Sequence, residues 1–292
     1  MRKRALLPFV VAAISAVALV PCLTAPPDPL GTGEHERPLL PRPELLLALG
    51  AGYRQNVADY FWLVTLYHTG VARTAEEYRD LYYYLDLITD VDPDFKYAYG
   101  FGGTMIPFNR GRERWVNAEE AIRIVEKGRR RFPEDSWLRL VHAYNLSFFQ
   151  RRYREAADIL AGVAWAPGMP EYLPSLVTRL YAAAGDPQTG VVFAQSMAEA
   201  TTDPNARAFF EKRVAELQAE AVLQRVDDAA AAYRSRTAHA PATVSELVSA
   251  GDLPTVPADP LGGEIYLGAD GRARSTLSDD RLKVYDPRDN YR

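Results

Sequence analysis

Few residues in this chain stand where chemistry would need them. Asp90, Asp92 and Asp94 alternate in the run Asp90-Val-Asp-Pro-Asp94, which is how a twelve-residue calcium loop begins. Such a loop needs Gly at its sixth position and Glu at its twelfth, and here those are Phe95 and Phe101. The cation-binding reading fails, and a turn between helices accounts for the acids. Gly100, Gly102 and Gly103 lack the preceding strand and the later acid of a dinucleotide site, so close packing of helices is their expected use. The four histidines, His35, His68, His142 and His239, are never paired at ligand spacing. His142 falls in an apolar helical stretch and reads as packed rather than catalytic. Cys22 is the only cysteine, which excludes a disulfide framework and a Cys-based zinc site. No hydrolase elbow, zinc-protease His pair or phosphate-binding loop occurs. Arg129, Arg130 and Arg131 end a helix, where positive charge suits the dipole. Asp279, Asp280 and Asp286 could gather with Asp270 around calcium, but a solvated tail is the simpler reading. The sequence therefore assigns no catalytic residue, no metal and no cofactor.

The composition points the same way. The chain has 292 residues, 48% of them hydrophobic and 25% charged, ordinary for a soluble globular protein. A net charge of −4 argues against general nucleic-acid binding, which needs a basic face. Wholesale disorder, collagen and a polytopic membrane protein are excluded.

The amino terminus sets the expected address. Arg2, Lys3 and Arg4 precede an uncharged run from Ala5 to Thr24, 20 residues long. That is about the length needed to span a bilayer core. A basic start followed by an apolar run is a signal peptide or signal anchor, with the rest of the chain exported. Three fates stay open: an uncleaved anchor, a lipoprotein through Cys22, or clean release. Leu19-Val20-Pro21-Cys22 resembles a bacterial lipobox but departs from it at Pro21. Two of the three leave the protein tethered to the membrane, on the periplasmic side of a bacterial envelope. Residues 25–43 are rich in Pro and Gly and read as a spacer.

These features sit on, or lead to, helices. From Glu44 to about Leu217 apolar residues recur at helical spacing, with breaks at Pro, Gly and Asp. Glu44–His68 reads as the first long segment, with Leu45, Leu49, Tyr53, Val57, Tyr60, Phe61 and Val64 as its stripe. Thr74-Ala-Glu-Glu77 is a capping box that opens the next helix. Its expected inner face is Tyr78, Leu81, Leu85 and Ile88. Asn117 with Glu120 is expected to cap a later one. Asp92-Pro93, Phe132-Pro133, Ala166-Pro167 and Asp203-Pro204 punctuate the chain at intervals of 40, 34 and 37 residues.

A period near 34 with two helices per unit is the signature of the tetratricopeptide repeat. Ala121, Gly128 and Pro133 stand at that family's small, small and Pro positions. Tyr153-Arg-Glu-Ala156 is similar to the start of the family's second helix, with Val163 at its second small position. Ala184-Gly185-Asp186 resembles the family's turn, with Gly190 following at a small position. Small residues there let two helices cross closely. The resemblance covers residues 60–205, with extra residues near Arg110–Arg114 interrupting the second unit. A generic array of helical hairpins is the alternative.

The carboxyl-terminal part differs. Residues 206–233 read as one long helix, and Thr243-Val-Ser-Glu246 caps a short one. Segments on either side of Ala269-Asp270-Gly271 read as a β-hairpin. The order Ala231-Ala-Tyr233, Pro241 to Leu247, Gly251-Asp-Leu-Pro254 and Pro257-Ala-Asp-Pro260-Leu-Gly262-Gly263-Glu-Ile-Tyr266 is similar to the globular part of type II secretion major pseudopilins. Leu261 replaces the usual aromatic, and that family's amino-terminal motif is absent. The resemblance implies a shared small fold and a link to secretion or pilus machinery.

The expected fold is therefore mainly α: an antiparallel array of tetratricopeptide-like helix hairpins with a small α+β carboxyl-terminal module. The expected divisions are 1–24, 25–43, 44–205, 206–278 and a tail at 279–292. In tetratricopeptide arrays the first helices line a concave surface that binds peptides or partner domains. Carried over by register, the resemblance places Tyr97, Leu138, Asn145, Phe148, Phe149, Tyr172 and Arg179 in that groove, unless the helix after Ala206 fills it. The leading expectation is a membrane-tethered scaffold that binds another protein in an envelope secretion, pilus or transport assembly. The rivals are an envelope enzyme or ligand-binding protein built from dispersed groups such as His142 and Arg179, and a pilotin-like lipoprotein lipidated at Cys22.

Overall fold

A computed structural model describes residues 37–278 and 281–284. Cys22, the apolar run 5–24, most of the spacer, and Asp279, Asp280 and Asp286 lie outside the described residues. From Pro38 onward the chain forms one unit.

The described part is mainly helical, with two small antiparallel strand pairs. The series opens with a short helix and a long one. α1 spans Pro43–Leu49 and α2 spans Arg54–Val71. The expected single segment is thus broken at Gly50-Ala51-Gly52, where Ala51 and Gly52 take φ of 47° and 95°. Only glycine reaches such angles without steric cost, so the chain bends there. The break also corrects the stripe. Leu45, Leu49 and Tyr53 are exposed, and the core takes Phe61 with part of Val57 and Tyr60.

Four more helices follow α2 in series. α3 (Ala75–Val91), α4 (Lys96–Met105), α5 (Ala118–Arg131) and α6 (Ser136–Gln150) each pack against the helix before. At the head of α3 the Thr74 hydroxyl accepts from the Glu77 amide while Glu77 accepts from the Thr74 amide. Its inner face carries Leu81, Leu85 and Ile88 into the core, with Tyr78 half-buried. The Pro and Asp breaks at Asp92 and Phe132 end α3 and α5. α7 (Tyr153–Ala161), α8 (Leu173–Ala183) and α9 (Pro187–Ala200) continue the series, and α10 (Pro204–Thr237) packs along α9.

Small residues sit where helices cross. A Cβ added to Gly128 would stand 2.6 Å from Tyr99 Cβ, and one on Gly102 would stand 2.7 Å from Ile124 Cγ2. Ala121 and Ala156 are fully buried. Close approach of backbones is what the missing side chains permit.

The residues around Arg110–Arg114 form a hairpin. β1 (Phe108–Asn109) pairs with β2 (Trp115–Val116), Phe108 opposite Val116. It leans on α3 through the Phe108 and Tyr78 rings, 5.1 Å apart. Asn117 does not cap α5, which corrects the sequence expectation. It sits at φ 65° and its Nδ2 donates instead to the Ala75 carbonyl, 2.6 Å away on α3. A side chain that ties the hairpin to an earlier helix is no longer free to bond its own helix.

The carboxyl-terminal module gathers the second half of α10, α11 (Val244–Ser249), β3 (Ile265–Leu267) and β4 (Ala273–Ser275). β3 and β4 pair around the Asp270 turn, with Leu267 opposite Ala273. Asp227 on α10 accepts from the Ala273 amide at 2.7 Å, which fastens the strands to the helix. Asp259 is buried and accepts from the Ser275 hydroxyl at 2.6 Å. Residues 281–284 then run back over the helices: Leu282 joins the core between α9 and α10, and Val284 the core of α6 to α8.

Candidate functional site

The acids of the calcium-like run are held by cations. Asp94 accepts from Arg131 at 2.5 Å and from Arg54 at 3.3 Å, while Lys127 lies 2.6 Å from Asp90 and 2.7 Å from Asp86. They clamp the ends of α2, α3 and α5 together. Among the described residues no group of three His, Cys, Asp or Glu could hold a metal ion.

His142 is buried on α6. Arg129 donates to its Nδ1 at 2.5 Å, and an arginine can only donate, so Nε2 carries the proton. Nε2 faces Glu126 at 3.7 Å, too far for a hydrogen bond. Burial, then the Arg129 and Arg152 charges, lower its pKa to about 4. The imidazole is therefore neutral at pH 7. Arg179, its supposed companion, is exposed on α8.

The seven groove residues divide by burial. Tyr97, Tyr172 and Arg179 are exposed, and Phe148 and Phe149 are half-buried. Leu138 and Asn145 are not on the surface. Leu138 is 1% exposed in the core, and Asn145 is fully buried with Nδ2 donating to the Gly103 carbonyl at 3.0 Å. The register of α6 corrects them by one residue. Asp135 caps α6 by accepting from the Leu138 amide, and Leu138, Val141 and Leu146 then face inward. One step along a helix is about 100°, so the outward stripe is Trp137, Tyr144 and Phe148. Trp137 and Tyr144 were missed because the groove register was set by analogy. The inward period of Leu138, Val141 and Leu146 was the signal that could have found them.

These side chains build two aromatic clusters on the first helices of successive pairs, with Trp137 exposed on the same stripe of α6. Trp62 of α2 meets Phe101 and Tyr97 of α4, with ring centroids 4.9 and 5.6 Å apart. Tyr97, Gly100 and Phe101 share one stripe of α4. Trp137 sits across from Gly100, where an added Cβ would be 3.5 Å from the indole nitrogen. Two turns further along α6, Tyr144 stacks on Phe148 at 5.2 Å and 9°, and Phe149 stands edge-on to Phe148 at 5.0 Å. Such pairs contribute about 0.5–1.5 kcal/mol each beyond burial.

A fourth ring comes from the inserted hairpin. Trp115 lies 5.8 Å from Phe148 and 5.3 Å from Phe149, with its indole N–H on Glu113 at 2.9 Å. Phe148 and Phe149 are thus flanked by Trp115 of β2 as well as by Tyr144 of α6, while α10 packs on α8 and α9. Burial, and then the Glu113 charge, raise the Tyr144 pKa, so its hydroxyl stays protonated and able to donate at neutral pH.

Tyr172 and Arg179 form the outward stripe of α8 with half-buried Leu176. An open depression of about 300 Å³ lies beyond, between Arg151, Tyr153, Glu220, Gln224, Asp227 and Arg281. Its carboxylates are spent on Arg281. The surface can bind through apolar and aromatic contact with hydrogen bonds at its rim. No family model, curated protein or solved structure matches the chain.

Proposed function

We propose that this protein is a membrane-tethered scaffold, exported to the periplasmic side of a bacterial envelope, whose helical hairpins hold another protein. We assign it no chemistry. The observation that carries this reading is the aromatic stripe of α4 and α6. Tyr97 is 68% exposed, Trp137 56% and Tyr144 53%, all on the first helices of their pairs. Tyr and Trp are among the side chains most enriched at the centres of protein interfaces. The resemblance to tetratricopeptide repeats supports the same face as the binding face. The basic start and apolar run 5–24 support the tether. The pseudopilin-like order of residues 231–266 favours an envelope secretion or pilus assembly as the setting.

The test is a photo-crosslinking amino acid at Thr104, an exposed position on the same α4 stripe, in the native membrane. One protein captured reproducibly, and lost on Trp137→Ala or Tyr144→Ala, is the expected result. Cross-links confined to this chain would overturn the reading.

A further inference from the structure

α2 is apolar on both sides. Its inner face places Ala58, Phe61 and Thr65 in the core. Its opposite face turns Leu63, Leu66, Tyr67 and Val71 to solvent, with Leu63 65% and Tyr67 59% exposed. These positions fall at i, i+3, i+4 and i+8, so they make one stripe. From Tyr60 to Ala72 there is no Asp, Glu, Lys or Arg. His68 does not interrupt the stripe, since its ring stacks on Tyr84 at 4.9 Å. The first helix of a stacked array has no neighbour on its outer side, and such a capping helix ordinarily turns a polar face outward. Here the outer face is greasy. α1 beside it buries no residue and exposes Leu45, Leu47 and Leu49. Nine of the twenty large apolar side chains exposed among the described residues fall between Leu39 and Val71. A patch concentrated at one end of the array marks an interaction site rather than ordinary surface scatter.

We propose that the outer face of α2, together with α1, lies on a lipid bilayer bearing anionic headgroups. Charge is the first argument. Residues 37–73 carry Arg37, Arg42, Arg54 and Arg73 against Glu44 and Asp59 in a chain whose net charge is −4, and Arg54 is turned to Asp92 and Asp94 rather than to the stripe. Arg42 precedes α1 and Arg73 follows α2, so cations bracket the apolar stripe, as in helices that lie in the membrane interface. Tyr53 and Tyr67 are exposed there, and amphipathic rings settle at headgroup depth. Connectivity is the second argument. The apolar run ends at Thr24 and α1 begins at Pro43, so 18 residues separate them. This step rests on the tether proposed above, which brings the bilayer to this end of the chain. Among the described residues no helix is long and apolar enough to cross a membrane, so α2 lies on the bilayer rather than through it. The scaffold would then stand on the membrane by α1 and α2.

The experiment uses the full chain, reconstituted in vesicles of phosphatidylglycerol and phosphatidylethanolamine, with a photo-crosslinking amino acid at Leu63 or Tyr67. The expected product is a phospholipid adduct on the chain, absent when the probe sits at exposed Val192 on α9. Leu63→Glu with Leu66→Glu should lower the adduct from the Tyr67 probe ~tenfold or more while leaving the helical circular dichroism unchanged. A chain-to-chain adduct would give the face to a second copy, and an adduct with residues 5–24 would give it to the protein's own apolar run. Either result, or no adduct at all, overturns the proposal. Alkaline extraction of the same vesicles reads the tether separately: a chain stripped by alkali defeats the tether, whereas a retained chain without lipid adducts defeats only the docking.

Discussion

Arg281 and Glu220 meet through two parallel hydrogen bonds, Nε to Oε2 at 2.9 Å and Nη2 to Oε1 at 2.8 Å, across 61 residues of sequence. The same guanidinium reaches Asp227 at 2.8 Å and the Ala273 carbonyl at 3.2 Å. Glu220, Gln224 and Asp227 lie at i, i+4 and i+7 of α10 and so share one face. Burial alone would lower the Arg281 pKa, but its bonds to Glu220 and Asp227 outweigh that and raise it. One side chain thus joins the tail, the strands and the long helix.

Removing that cation leaves two carboxylates with nothing to answer them in a partly dry site. Arg281→Met should cost ~3–5 kcal/mol, because breaking a buried pair is far worse than never having had one. The urea midpoint at constant m-value measures it. A change within about 0.5 kcal/mol would show the clamp to be idle.

Gly100 and Gly103 of α4 should behave oppositely. A Cβ on Gly103 would overlap Val125 and Val141, whereas one on Gly100 has ordinary contact distance to Trp137. Gly103→Ala should destabilise by about 1–3 kcal/mol through overpacking. Gly100→Ala should be neutral or stabilise by up to ~1 kcal/mol from helix propensity. Thermal melts of the two variants side by side decide it, and equal shifts would refute the close crossing.

His142 makes the fold sensitive to mild acid. Its pKa is held at about 4 against 6.5 for a free imidazole. The unfolded chain therefore takes up a proton below pH 6.5 that the folded chain refuses, so stability falls as pH drops through that window. Between pH 7 and pH 5 this site should account for about 2 kcal/mol. Burial depresses His68 in the same direction, so His142→Gln should flatten the pH dependence without abolishing it. Asp135 and Glu155, whose pKa values are lowered, act only at more acidic pH. For Asp135 burial works upward, and the bonds from Lys96 and the Leu138 amide prevail; for Glu155 the bond from Arg152 leads. Urea titrations at the two pH values are the check.

Neighbours on α6 should separate folding from binding. Leu138→Ala empties a core position and should cost ~2–5 kcal/mol of stability. Trp137→Ala, one residue away on the outward stripe, should leave the melt nearly unchanged and weaken partner capture by ~2 kcal/mol or more. If the two variants lost stability alike, the outward stripe would belong to the core.

What the sequence determined by itself is local. Caps and breakers act over a few residues, so Thr74 with Glu77, Asp92-Pro93 and Asp203-Pro204 delimit helices wherever they occur. The inner face of α3, the close-packed glycines and the Asp270 turn are legible for the same reason: apolar period and turn chemistry are written in neighbouring residues. The tertiary structure decided what depends on rotation and on distant partners. A one-residue shift turns a helical side chain by about 100°, which put Trp137 and Tyr144 outside and Leu138 and Asn145 inside. Asn117 could have capped its own helix, but the Ala75 carbonyl, 42 residues earlier, offered a bond that fixes the hairpin. Trp115 flanks Phe148 and Phe149 only because that hairpin folds over α6. Arg281 and Glu220 find each other only after the long helix is packed, since no local rule relates residues 61 positions apart.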